Sequence, residues 1–196
     1  MLASRSPRRA ELLAAAGIPF EVLATDIDET PRANESAEAY VERLAIEKAL
    51  AVLALLHDKP EGLSPGNVLV LGADTTVVVD GRILGKPADA QEATDMLRLL
   101  RGRAHDVFTG VAVASASGVR SAVADTRVWF SAMTDEDISW YVASGQPMDK
   151  AGAYGIQGLA SRFIVRIDGS YTNVVGLPVA LVSSILSQEK PARLSP

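Results

Sequence analysis

The first nine residues, MLASRSPRR, place arginines at 5, 8 and 9 in a chain of 196 residues whose formal net charge is -5. A local knot of cations in an acidic protein suits a small anion better than a nucleic acid, since affinity for a phosphate backbone needs a broad basic surface. Ser6-Pro7 predicts an N-cap with proline at the first helical position, which sets Arg8 and Arg9 in a first turn. There the free backbone N–H groups and the helix dipole favour negative charge. Cations in that turn oppose the dipole, and a bound polyphosphate would relieve the cost. Ser4, Ser6, Arg8 and Arg9 are therefore candidate phosphate contacts. The plainer alternative is a capped helix with solvated arginines, and no role falls to Arg5.

Asp28, Glu29 and Asp74 lie just after expected strands, where open α/β sheets carry their sites. Two or three converging carboxylates would bind Mg²⁺ or Mn²⁺ through hard oxygen ligands, and one could also deprotonate an attacking water. Singly, each is as well explained as a turn-forming acid. Lys48 and Lys86 are candidate phosphate clamps or solvated lysines. Gln157 sits in the glycine-rich run MDKAGAYGIQG. It offers one donor and one acceptor, the pairing that a uracil or thymine edge needs, although an isolated surface glutamine would look the same.

Three familiar signatures come close. GRILGKP has only three residues between its glycines and a proline where a P-loop needs Ser or Thr. GAYGIQG does not lie between a strand and a helix, so the dinucleotide fingerprint fails. DIDET matches the Asp-x-Asp-x-Thr pattern of haloacid-dehalogenase phosphatases, with Asp26 as the would-be nucleophile, over one short stretch. His105 reads as structural, and Trp129, Trp140 and Tyr141 read as packing.

The elements that must position these groups follow from periodicity and turn chemistry. Hydrophobic residues make up 48% and charged residues 22%, as in an ordinary globular chain, with no cysteine and only two histidines. A disulfide framework is thereby excluded, and an all-histidine metal site is not expected. No apolar run approaches the ~20 residues that span a bilayer, so a cytoplasmic protein is expected. Strands are expected at 1–3, 19–25 and 67–74, the last continuing into a hairpin turned at Asp80-Gly81. The longest helix should run from Ser36 to about Leu56. Further helices should be capped by Asp89 and Thr134, with 105–115 and 119–131, two long alternating segments, forming an antiparallel pair on one side of the sheet. A closing helix from Leu177 to Ser187 should precede a frayed tail.

Taken together, LASRSPRR, the DIDE turn, LGADTTV, LGKP, RLLRGRAHDVFTGVAV, MDKAGAYGIQG and GSYTNVVGLP resemble, in order and over nearly the whole chain, the Maf family of nucleoside triphosphate pyrophosphatases. The resemblance implies one α/β domain over 1–196, built on an elongated mixed sheet flanked by helices. That architecture is similar to the inosine triphosphate pyrophosphatases, with a central cleft and usually a homodimer. It implies hydrolysis of a triphosphate to monophosphate and pyrophosphate with a divalent cation, Mg²⁺ or Mn²⁺. On this reading Asp74 is the catalytic base and, with Glu29, a metal ligand. Arg8, Thr75 and Gln157 match the positions associated with substrate choice and look like the dTTP/UTP branch, possible modified pyrimidine triphosphates included. Ser6, Arg9, Lys48 and Lys86 match phosphate contacts. A noncatalytic nucleotide-responsive regulator of cell division is the alternative, with a dehalogenase-type phosphatase using Asp26 behind it.

Overall fold

A computed structural model of the chain describes residues 1–57 and 68–189, so the tail beyond Glu189 and the first residue of the expected strand at 67–74 lie outside the described residues. Helix α1 (Pro7–Ala15) begins with its proline in the first turn and is followed by Gly17 at φ 68°. Helix α2 (Ala37–His57) buries Val41, Leu44, Ala45, Ala49, Val52, Leu53 and Leu56, a stripe at three- and four-residue spacing. Strands β1 (Val70–Val79) and β2 (Arg82–Leu84) are joined at Asp80-Gly81, both at positive φ (50° and 72°), as the twist of a two-residue hairpin requires.

Helix α3 (Ala90–Leu100) is capped by Asp89, whose carboxylate accepts the Glu92 N–H, while the Glu92 carboxylate takes the Ala88 N–H one residue upstream. Strands β3 (Ala104–Ser115) and β4 (Gly118–Phe130) form the long antiparallel pair. Helix α4 (Asp135–Ala143) opens with a complete Thr134–Asp137 capping box. Three short 3₁₀ turns then lead to β5 (Ile164–Gly169), α5 (Tyr171–Val175) and α6 (Val179–Glu189).

The sheet order is β2-β1-β3-β4-β5, and every pairing between these strands is antiparallel. Parallel character is confined to two isolated bridges, Leu2 with Val22 and Leu2 with Leu71. The expected strands at 1–3 and 19–25 are therefore single bridges rather than strands. Val22 is half exposed, and its only ladder neighbour is Leu2, so nothing extends the pairing. The β3–β4 pair sits inside the sheet rather than at one side. β3 alternates between half-buried and buried over 104–108 and is buried without a break over 109–114, where it is covered on both faces. The closing helix runs two residues past its expected end, into the expected frayed tail.

Helices cover both faces of β1 and β3. Leu71, Ala73, Val111 and Val113 point to one face, where Leu13, Leu177, Val182 and Ile185 close a core. Ala112 and Ala114 point to the other, against Ala45, Ala49, Val52 and Leu56 of α2. On this second face stand Gly72 and Gly110. A Cβ on Gly72 would lie 2.1 Å from the Ala45 carbonyl oxygen, and one on Gly110 would lie 2.2 Å from that of Val41. The helix backbone thus rests directly on the strands. This close approach brings Lys48 of α2 down to Asp74 of β1.

Candidate active-site cleft

The groups singled out by chemistry line one cleft of about 930 Å³: Ser6, Arg8, Arg9, Glu29, Lys48, Asp74, Thr75, Lys86 and Gln157 all border it. Asp74 is the deepest carboxylate, only 8% exposed. Its Oδ1 accepts a hydrogen bond from Lys48 Nζ at 2.6 Å, and the same ammonium lies 2.6 Å from Glu29 Oε1. One cation thus sits between two carboxylates that reach it from β1 and from the loop before α2. Among the described residues no cluster of three or more His, Asp or Glu side chains could hold a metal ion. The protein can therefore offer a divalent cation this pair, leaving the remaining coordination to phosphate oxygens and water, as Mg²⁺ commonly accepts.

The Glu29 loop is held from outside. Tyr40 Oη donates to the Glu29 carbonyl at 2.9 Å, and Arg43 reaches the Thr30 carbonyl at 3.2 Å while pairing with Glu35 at 2.6 Å. Burial, reinforced by the negative charges of Asp74 and Glu29, pushes the Tyr40 phenol up to about 12, so it remains a donor at neutral pH. Asp28 turns back on its own chain, its Oδ1 accepting the Thr30 N–H, and does not line the cleft. Asp26 pairs with Arg5 at 2.6 Å in an exposed contact at the cleft edge. That position follows no strand of the sheet, so the dehalogenase-type reading of Asp26 loses its structural context.

The helix start departs from expectation in its detail. Ser6 occupies the N-cap position but its hydroxyl makes no capping bond. The nearby hydroxyl that serves the turn is that of Ser4, which accepts the Ser6 N–H at 3.2 Å. The Ser6 side chain and the first-turn N–H groups of Arg8 and Arg9 thus have no partner in this turn among the described residues.

The two arginines diverge sharply. Arg8 reaches across the cleft to Asp149, donating Nη1 to its carboxylate at 2.7 Å and Nη2 to its carbonyl at 3.2 Å. Partial burial raises the Asp149 carboxyl, but bonds from Lys150 and Arg8 outweigh it and bring it down to about 2. Arg9 is buried and donates to Gly176 O (2.8 Å), Ser4 Oγ (3.1 Å), Ala73 O (2.8 Å) and Thr75 Oγ1 (3.0 Å). Thr75 also exchanges a hydrogen bond with Thr109 at 2.9 Å. Lys86 and Gln157 are exposed on the far wall and make no hydrogen bond or ion pair among the described residues, leaving their polar ends open to a ligand.

Sequence reasoning did not find Asp149, Tyr40 or Lys150, all of which border the cleft. The MDKAGAYGIQG block contained two of them, but nothing local marks Asp149 as the partner of an arginine 141 residues away. His105, read as structural, is buried with Nε2 2.7 Å from the Tyr154 hydroxyl and its ring edge-on to Phe130. Tyr154 lines the cleft, so His105 anchors the glycine-rich wall to the sheet. Burial lowers the imidazole to about 4, with the charge of Asp106 pulling slightly the other way. Trp140 is half exposed beneath the Arg162 guanidinium and is not buried packing, nor does it border the cleft.

A family model described as Maf-like protein matches residues 1–189. The dTTP/UTP pyrophosphatase of Shewanella oneidensis is 50% identical to this chain over 193 residues, covering 96% of each. That of Acinetobacter baylyi is 47% identical over 189 residues, covering 96% of this chain and 98% of its own. The dTTP/UTP pyrophosphatase of Escherichia coli O157:H7 is 50% identical over 187 residues, covering 95% and 90%.

Proposed function

The chain belongs to the Maf family, and on that footing we propose that it hydrolyses dTTP and UTP to the monophosphate and pyrophosphate. The observation that carries the reading is the buried Asp74 carboxylate on the cleft wall, hydrogen-bonded to Lys48 beside a second carboxylate, Glu29. Asp74 takes a proton from a water directed at the α-phosphorus. The water oxygen bonds to that phosphorus as its bond to the bridging oxygen breaks, and the bridging oxygen leaves with pyrophosphate. Arg8, Lys86, the Ser6 hydroxyl and the first-turn amides of α1 meet the charge that builds on the leaving group. Positioning and electrostatics supply most of the acceleration in such a reaction. Glu29 and Asp74 would hold Mg²⁺ or Mn²⁺, which supplies Lewis acidity and charge neutralisation at phosphate oxygens when bound. Gln157 reads the base edge, and Thr75 and Arg8 limit what else fits.

The proposal carries with it a homodimer working in the cytoplasm. No described helix is long and apolar enough to cross a membrane. Sedimentation of the full chain checks the dimer.

The deciding experiment incubates the protein with dTTP, UTP, modified pyrimidine and purine triphosphates, with Mg²⁺ or Mn²⁺, and identifies the products. Pyrophosphate and monophosphate from the pyrimidines are expected. Release of inorganic phosphate would overturn the reaction, and binding without turnover would favour a regulator. Asp74→Asn should lower kcat by about 10³-fold, the scale of losing a general base, with nucleotide still bound. Full activity in that variant would remove Asp74 from the mechanism.

A further inference from the structure

Arg9 is a candidate phosphate contact by position, yet its guanidinium is already largely engaged by the protein. Of five N–H donors, four go to protein acceptors. The acceptors come from three separate segments that border the cleft: Ser4 before α1, Ala73 and Thr75 on β1, and Gly176 after α5. Two of them, the Ala73 carbonyl and the Thr75 hydroxyl, flank Asp74 in sequence. Side chains alternate along β1, so Ala73 and Thr75 face α1 while Asp74 faces α2 and Lys48. Arg9 therefore grips the strand from behind at the residue that carries the proposed base.

No carboxylate lies within ion-pair distance of Arg9 among the described residues, although it is only 9% exposed. A buried cation without a counter-ion is costly, and a geometry that merely needed positive charge would be met by lysine. The planar fork, engaged on acceptors in three directions, is what lysine cannot reproduce.

We propose that Arg9 is a positioning residue, whose guanidinium ties β1 to the segments before α1 and after α5 and so fixes the Asp74 carboxylate in its working place. This rests on the reading of Asp74 as the base. It separates Arg9 from Arg8: the former holds the wall, the latter meets the nucleotide. Misplacing a catalytic group by about 1 Å costs on the order of 10²-fold in rate.

The test compares Arg9→Lys with the native protein in three measurements: kcat for dTTP, the dTTP dissociation constant by calorimetry in an Asp74→Asn background, and amide hydrogen exchange at 73–75. Arg9→Lys should lower kcat about 100-fold, leave the dissociation constant within about threefold, and speed exchange at 73–75 at least tenfold. A dissociation constant raised tenfold or more with kcat intact at saturation would make Arg9 a phosphate clamp and overturn the proposal. So would native kcat in the lysine variant. Should Arg9→Lys fail to fold, Ser4→Ala removes one acceptor alone. It should lower kcat about threefold at unchanged affinity, and a loss confined to affinity would again overturn the proposal. A native protein that turns over no triphosphate would refute the functional reading instead, while the exchange comparison would still decide whether Arg9 holds the strand.

Discussion

The cleft has an inner wall and an outer rim, and the two are built differently. The wall is β1 and β3 pressed against α2, with Gly72 and Gly110 in contact with helix backbone, Arg9 behind the strand and Asp74 facing Lys48. Arg9, Asp74, Lys48 and Thr75 are buried or half-buried and engaged there, and the buried Thr76 hydroxyl is without a partner among the described residues. The rim is the loop carrying Glu29, the 3₁₀ turn ending at Asp149 and the turn at Gln157 that precedes the last 3₁₀ segment, joined to the first turn of α1 by the Arg8–Asp149 pair. Its polar groups are half-buried or exposed, and several point into open cleft. Proton transfer needs fixed geometry, so its carboxylate belongs on a rigid sheet. Selecting a base needs groups that can close on a ligand, and turns supply them.

A matched pair of glycine substitutions tests that contrast with the largest expected effect. In Gly110→Ala the new Cβ would stand 2.2 Å from the Val41 carbonyl oxygen, so α2 must lift off the sheet. We expect a loss of about 4 kcal/mol or more, or no soluble protein, by urea denaturation. In Gly158→Ala on the rim the new Cβ would stand 2.3 Å from Gln146 Oε1, the far end of a flexible side chain. That chain can turn aside, at a cost of about 1 kcal/mol from its hydrogen bond to the Leu159 N–H. Equal losses in the two variants would erase the distinction between wall and rim.

A second test lies where rim meets sheet, at His105 and Tyr154. The imidazole falls from 6.5 in the unfolded chain to about 4 in the folded protein. Between those values the unfolded chain binds more protons, so stability is complete above pH 6.5 and declines as pH falls toward 4. Over the whole window the decline amounts to about 3 kcal/mol. Denaturation midpoints at pH 7 and pH 5 should therefore separate, and in His105→Gln they should draw together. An unchanged slope in that variant would assign the pH dependence to other groups.

The same division marks what the sequence makes legible. Turns and caps announce themselves because their chemistry is local: Asp80-Gly81, Asp89 and Thr134 each do what their residue types dictate. The segment 19–25 has a strand's composition, but a strand also needs a neighbour, and only Leu2 provides one. β3 reads as alternating and is so over 104–108, but α2 and the α1–α6 layer cover both faces of 109–114. In the site, residue types were visible and pairings were not. Asp74 and Lys48 stand 26 positions apart, and only the bare glycines at 72 and 110 bring their elements together. Arg8 and Arg9 are indistinguishable as letters. A helix turn separates them by about 100°, sending one guanidinium to the rim and the other beneath β1.

The smallest expected effect probes the rim alone. Asp149 is 61% exposed along its side chain and Arg8 23%, a setting in which an ion pair contributes about 0.2–1 kcal/mol. Asp149→Asn keeps the carbonyl that Arg8 also uses and removes only the charge. Its melting temperature should stay within about 4 °C of the native value, since 1 kcal/mol moves a domain of this size by about that much. Arg8, released from its anchor, can then swing toward phosphate or solvent, and the preference for pyrimidine over purine triphosphates, as a ratio of kcat/KM, should fall about threefold with kcat for dTTP little changed. If kcat itself fell 100-fold, the carboxylate of Asp149 would have to act on the reacting groups. Geometry fixed at the rim would then matter as much as geometry fixed at the wall, and the functional separation of the two would fail even with their structural difference intact.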